Sequence, residues 1–170
     1  MPTPIASVLG AVVELLNGTT GLSASLAEYS SSIQMTGIPQ AQGIAPEAPI
    51  AEASYVPQEV EELQTKVVYP LCRVYCDQIK NDGKVKFRKF SGSYRVVVEI
   101  THSKDRLDGL SDTLQAAVDA VGEVYDKNQG NLADGMVLLP GYEVQVDAVR
   151  KGGMHYLQKA RVISQLSWER

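Results

Sequence analysis

The chain has 170 residues, of which 44% are apolar and 21% charged, and its formal net charge is −4. This composition is typical of a folded protein with a sizeable core and excludes a largely disordered chain. The apolar residues 5–16 are too few to span a bilayer, and without a preceding Lys or Arg they do not resemble a signal peptide. We therefore expect a protein that is made in the cytoplasm and has no membrane partner.

The charges are unevenly distributed along the chain. Residues 1–65 contain seven glutamates and no basic residue, whereas all 16 Lys and Arg side chains occur from Lys66 onward. This asymmetry would allow the acidic segment of one copy to contact a basic surface of another. A simpler interpretation, in which both parts are only solvated, is equally compatible with the sequence.

The N-terminal segment, residues 1–29, has helical patterns. Pro4 favours a helix start and Asn17-Gly18 a helix end, and apolar residues recur between them at helical spacing. We predict a helix over residues 4–16 and a weaker one over 22–29.

Residues 30–57 are rich in proline, glycine and serine, a composition that disfavours regular helix or strand. A long segment without secondary structure is unusual inside a compact domain. We interpret it as an extended arm that orders against a neighbouring subunit, the alternative being a floppy surface loop. Its candidate contact residues are apolar: Ile33, Met35, Ile38, Ile44, Ile50, Tyr55 and Val56.

Residues 58–170 have the pattern of an α+β core that forms one domain with residues 1–29. We predict a mostly antiparallel sheet of four to five strands, with a long helix at about 106–127 and the 4–16 helix packed on it. Within the long helix, Gly109 and Gly122 either weaken it slightly or mark close packing against a strand. The strands are predicted at 67–78, 84–90, 94–102, 141–149 and 156–168.

No motif in the chain supports catalysis, and we predict no catalytic residue, cofactor or metal site. His102 follows a strong strand but has no partner fixed nearby in the sequence. Cys72 and Cys76 would lie roughly 13 Å apart on one strand, too far for a disulfide, so structural thiols are expected. Asp105, Asp108 and Asp112 suit the first turn of a helix for electrostatic reasons.

A basic face is the sharpest local charge feature. On a strand, Lys84, Lys86 and Arg88 share one side, with Lys89 beside them. Such a face could contact a neighbouring subunit or the phosphates of DNA. It could equally be an ordinary solvated strand, and no aromatic cluster for base stacking accompanies it.

The C-terminal two-thirds resembles the tail terminator and neck (head–tail joining) proteins of tailed bacteriophages. The resemblance covers residues 66–170 and lies in the order of the helices and strands and in the kinds of residues that form them. It is carried by Ser93-Tyr94-Arg95-Val96-Val97-Val98-Glu99-Ile100, the 107–127 helix, Gly141-Tyr142-Glu143-Val144, and Leu166-Ser167-Trp168.

This resemblance implies a structural virion protein that forms a ring, usually of six copies, made in the host cytoplasm. The ring would cap the tail tube and join it to the head through the tube and neck (connector) proteins, with DNA passing through its lumen. The 30–57 segment departs from the compact family pattern, so another neck, tail-completion or tail-tube component is an alternative. From a different class, a small nucleic-acid-binding module would use the basic face, and its retention on DNA would depend on salt.

Overall fold

A computed structural model describes residues 4–35, 51–53, 69–82, 91–133 and 135–169. The helices are α1 (Pro4–Asn17), α2 (Leu22–Met35) and α3 (Leu110–Lys127). The strands are β1 (Ala51–Ala53), β2 (Leu71–Asn81), β3 (Ser91–Lys104), β4 (Gly130–Ala133), β5 (Met136–Val146), β6 (Arg150–Gly152) and β7 (His155–Glu169). The α+β class predicted from the sequence agrees with this order of elements.

The strands form one mixed sheet in the order β1-β2-β3-β7-β5-β4, with β6 paired to β7 off this path. β1 runs parallel to β2, and the other neighbours are antiparallel. With seven strands in the described residues, the sheet is larger than the predicted four to five. The short strands β1, β4 and β6 account for the difference, because three or four residues give little periodicity to read. The predicted strand at 84–90 lies outside the described residues.

The side chains of the long central strand pair β3–β7 define the two faces of the sheet. Val96, Val98 and Ile100 on β3 point to the face that carries the helices and are fully buried in the core. The alternating residues Val97 and Glu99 therefore point to the opposite face. Gly92 lies within β3, and the register shift in the pairing of β2 with β3 lies between Cys76 and Gln78.

Helices α1 and α2 supply much of the core. Residues Ile5–Glu28 are long and apolar enough to cross a membrane, with a mean hydropathy of 1.4. They form two helices separated by a turn at residues 18–21, however, and Val8, Val12, Leu16 and Leu22 are buried in the core. Packing in the core thus accounts for the apolar character of these side chains.

Helix α3 begins at Leu110, a few residues later than predicted. Gly109 has a φ of 69°, a left-handed conformation that favours glycine and precedes the first helical residue. The backbone N–H and hydroxyl of Thr113 both donate to the Gly109 carbonyl, at 3.2 and 2.9 Å. Of the two alternatives left open at Gly122, close packing against a strand is the one observed, because a Cβ there would collide with the hydroxyl of Tyr142 on β5.

Strand β1 contradicts the prediction that residues 30–57 contain no regular structure. The Asn17 side chain, at the end of α1, donates to the Ala51 carbonyl at 2.9 Å and accepts from its N–H at 2.8 Å. This pair of hydrogen bonds places Ala51–Ala53 beside β2. The arm also cannot begin at Ser30, because α2 continues to Met35.

Candidate assembly surface

The residues proposed from the sequence as contact sites lie mostly outside the described part of the chain. Ile33 and Met35 belong to α2 and not to an extended arm. The other residues of both predicted surfaces are outside the described residues: Ile38, Ile44, Ile50, Tyr55 and Val56 of the arm, and Lys84, Lys86, Arg88 and Lys89 of the basic face. Their proposed roles therefore stay predictions.

A polar cluster lies on the sheet face opposite the helices. Glu99 on β3 is 1% exposed and accepts from Arg161 Nε on β7 at 3.1 Å and from the Tyr75 hydroxyl on β2 at 3.4 Å. The two terminal nitrogens of Arg161 donate to the two carboxylate oxygens of Asp147, at 3.2 and 3.0 Å. The cluster ties β2, β3 and β7 to the segment after β5.

The electrostatics of this cluster keep Arg161 charged. Burial would lower the pKa of Arg161, but hydrogen bonds and charge from Glu99 and Asp147 outweigh it and raise that pKa. Burial, followed by the charge of Glu99, raises the pKa of Tyr75. A permanently charged guanidinium and a neutral phenol can hold β2, β3, β7 and the segment after β5 together. Because neither group changes its charge near pH 7, they are poorly suited to proton transfer at that pH.

The second half of β5 forms an exposed strand edge, called here the β5 edge (residues 141–146). Tyr142, Val144 and Val146 share the helix side of the sheet and are 40%, 40% and 52% exposed. β4 pairs with β5 only up to Leu138, so no described strand covers residues 141–146 on the side away from β7. An exposed edge with an apolar side is a site for protein–protein contact.

The same three residues carry the backbone N–H and C=O groups of the β5 edge that no described strand pairs with. The Asp147 N–H donates to the Lys159 carbonyl of β7 at 2.9 Å. Backbone groups alternate in direction along a strand, so Glu143 and Gln145 also face β7, and Tyr142, Val144 and Val146 direct their N–H and C=O groups outward. Main-chain and side-chain contacts would thus involve the same positions.

Acidic side chains on α3 flank this edge. The Tyr142 ring lies against Gly122, with its centroid 6.3 Å from that of Tyr125. Burial raises the pKa of Tyr142, and the charges of Asp126 and Asp119 raise it further. Neither aspartate forms an ion pair with a described residue; each accepts a hydrogen bond only from a glutamine side chain.

The turn between β6 and β7 has the opposite charge. This basic hairpin (residues 150–155) contains Arg150 and Lys151 and no acidic residue. All its residues are exposed, Met154 at 87%. Lys151 lies over the Tyr156 ring at 5.8 Å from its centroid, and neither basic side chain forms an ion pair with a described residue. The hairpin therefore presents positive charge that no described residue neutralises, beside an exposed methionine.

The remaining titratable groups are dispersed. His102 is buried, and no described residue bonds its ring nitrogens; burial, then the charge of Lys104, lowers its pKa. Burial, then the charge of Glu52, raises the pKa of the Cys72 thiol to about 12. Cys76 is a free thiol as well and is half-buried. Among the described residues, no group of three His, Cys, Asp or Glu side chains could hold a metal ion.

The whole fold is similar to that of a chain in the virion of a native gene transfer agent (GTA) particle. Sequence identity is 14% and the TM-score 0.51, and the alignment covers 99% of this chain and 100% of that chain. The likeness is one of fold. No protein-family model matches the chain, and no curated protein matches it.

Sequence reasoning predicted β5 but missed the β5 edge. The alternation over 141–149 indicates which residues share a face, and it does not indicate whether another element covers that face. The residues Arg150-Lys151-Gly152-Gly153 are typical of a turn. How this turn lies relative to the acidic side chains of α3 depends on the fold.

Proposed function

We propose that this protein is a structural component of a phage-like virion and catalyses no reaction. The observation that carries the proposal is the likeness over essentially the full length of both chains to a GTA virion component. A fold can host many functions, so the likeness alone is an argument by analogy. The exposed β5 edge and basic hairpin add a physical reason, because they are surfaces suited to assembly rather than to binding a small substrate.

Within the virion, we propose the role of a tail terminator, a ring of six copies that caps the tail tube and joins it to the neck. The order of β3, α3, β5 and β7 supports this role through the resemblance of residues 66–170 to that family. A ring requires heterologous contacts, in which one surface of a subunit meets a different surface of the next. The acidic-flanked edge and the basic hairpin are two such unlike surfaces.

A terminator acts by occupying the end of a polymer. Tube subunits add as long as the growing end is free, so a bound ring stops growth and presents a new surface to the neck. Its partners would be its own copies, the tube protein and the neck proteins, with DNA passing through the lumen. It would be made in the host cytoplasm and would need no cofactor.

Deletion of the gene in cells that produce the particles tests this role. We expect heads without joined tails and tubes of uncontrolled length in electron micrographs, and restoration of both by the wild-type gene. Antibodies against the protein should label the head-proximal end of the tail. Particles of normal tail length that lack the protein would refute the proposal. Absence of tubes altogether would favour a tube or tail-completion component instead.

A further inference from the structure

We propose that neighbouring copies of this chain bind head to tail, with the basic hairpin of one copy seated along the β5 edge of the next. The inference rests on the ring of the proposed function and names the two surfaces that join its subunits. It commits to a second copy of this chain as the partner.

Charge complementarity is the first argument. The β5 edge lies beside Asp119 and Asp126, and the hairpin carries Arg150 and Lys151, all without an ion-pair partner among the described residues. Opposite charges on two surfaces of one chain favour contact between copies and steer their encounter. Exposed Met154 can then cover the apolar side of the edge at Val144 and Val146.

Backbone geometry is the second argument. Tyr142, Val144 and Val146 direct N–H and C=O groups away from β7, and the hairpin supplies an extended β6 strand paired with only one described strand. An added strand would satisfy the outward groups of the edge and remove an aggregation hazard.

The charges also disfavour the simplest alternative, a two-fold dimer in which two β5 edges pair with each other. That arrangement would bring Asp119 and Asp126 of one copy towards the same residues of its partner, and like charges in contact are unfavourable. The head-to-tail contact instead joins unlike surfaces, and it generates a ring when the rotation between neighbouring copies closes. β5 and β6 both pair with β7 on the side away from β3, so a two-fold dimer with two reciprocal hairpin–edge contacts would match the charges too, and the mixing experiment below separates the two arrangements.

Charge reversal with rescue tests the contact. The edge variant is Asp119→Lys with Asp126→Lys, and the hairpin variant is Arg150→Glu with Lys151→Glu. We expect each to weaken self-association at least about tenfold in light scattering at low salt, and a chain carrying all four changes to recover most of it. Glu14→Lys is the matched control, because Glu14 is an exposed acid on α1, which packs against the β1–β2 side of the sheet. It should assemble as the wild type does.

Mixing the two defective variants supplies a second readout. The hairpin variant retains a native edge and the edge variant retains a native hairpin, so these two surfaces match in charge when the variants are mixed. The reversed hairpin and the reversed edge match as well, and head-to-tail contacts can therefore continue through alternating variants and close into a ring. We expect equimolar mixing to restore assemblies larger than a dimer. A 1:1 heterodimer and nothing larger would instead indicate a two-fold contact and reject the head-to-tail arrangement. Circular dichroism of each variant establishes that it is folded.

Three results would overturn the inference: a wild-type chain that stays monomeric at all concentrations, variants that assemble normally, or a mixture that forms nothing larger than a dimer. None of these touches the proposed function directly. A monomeric chain that still labels the head-proximal end of the tail would leave the virion role intact and reject only this contact. Conversely, rings that form through this contact but are absent from particles would reject the virion role alone.

Discussion

The Nε atom of Arg161 lies 3.1 Å from a carboxylate oxygen of Glu99, which is nearly inaccessible to solvent on the face of the sheet that carries no described helix. A buried carboxylate is costly unless it is paired, and Arg161 is also held by Asp147 at 3.0 Å. The pair therefore couples the central strands β3 and β7 through side chains as well as through backbone hydrogen bonds.

Arg161→Met should destabilise the fold by about 3 kcal/mol, because it leaves Glu99 buried with only the Tyr75 hydroxyl as a donor among the described residues. The free energy of unfolding in urea measures the loss. The double variant Glu99→Leu with Arg161→Met should be more stable than Arg161→Met alone, since no unpaired charge remains. If the stability losses of Glu99→Leu and Arg161→Met, each measured alone, add up to the loss of the double variant, the pairing is contradicted.

Gly122→Ala should show strong coupling to Tyr142. In an unobstructed helix interior, this change stabilises by about 1 kcal/mol. Here the new methyl group meets the Tyr142 hydroxyl, so we expect little or no gain in the wild type. In a Tyr142→Ala background the full gain should appear in urea unfolding. Equal effects in both backgrounds would mean that the Tyr142 ring does not rest on Gly122.

His102 should make the fold less stable in mild acid. Its pKa in the fold lies below the ordinary value of 6.5, first because of burial and then because of Lys104. Below pH 6.5 the unfolded chain therefore binds the proton more readily than the folded chain, and the free energy of unfolding falls until the folded pKa is passed.

The control for this prediction is His102→Leu, which removes the titrating group from a buried position without a hydrogen-bond partner among the described residues. The free energy of unfolding of the wild type, minus that of this variant, should fall as the pH is lowered from 7.5 to 5. A difference independent of pH would show that His102 titrates alike in both states.

The elements with strong periodicity were predictable from the sequence. The apolar run Val96-Val97-Val98 indicated β3, and the helical stripe of apolar residues along 110–127 indicated α3. Strand β1 was not predictable, since Ala51-Glu52-Ala53 has no strand preference of its own. It is positioned by the side chain of Asn17, 34 residues away.

The candidate surface was less predictable than the fold. Whether Val144 is buried or exposed depends on where β4 stops pairing, and that depends on the register between Gly130 and Leu138. The juxtaposition of the Tyr142 ring with Asp119 and Asp126 depends on how α3 crosses β5. Neither relation is encoded by a local pattern, because both join residues far apart in the sequence.

The central pairing of β3 with β7 has a consequence for how newly synthesised chains fold. It joins residues as distant along the chain as Ser91 and Glu169, and β5 also depends on β7 for its neighbour. During synthesis, β3 and β5 emerge from the ribosome before the strand that lies between them. Folding is therefore dominated by nonlocal contacts and is expected to be slow. A chain interrupted before β7 would lack the middle of its sheet, so incomplete translation products would be unable to form this fold.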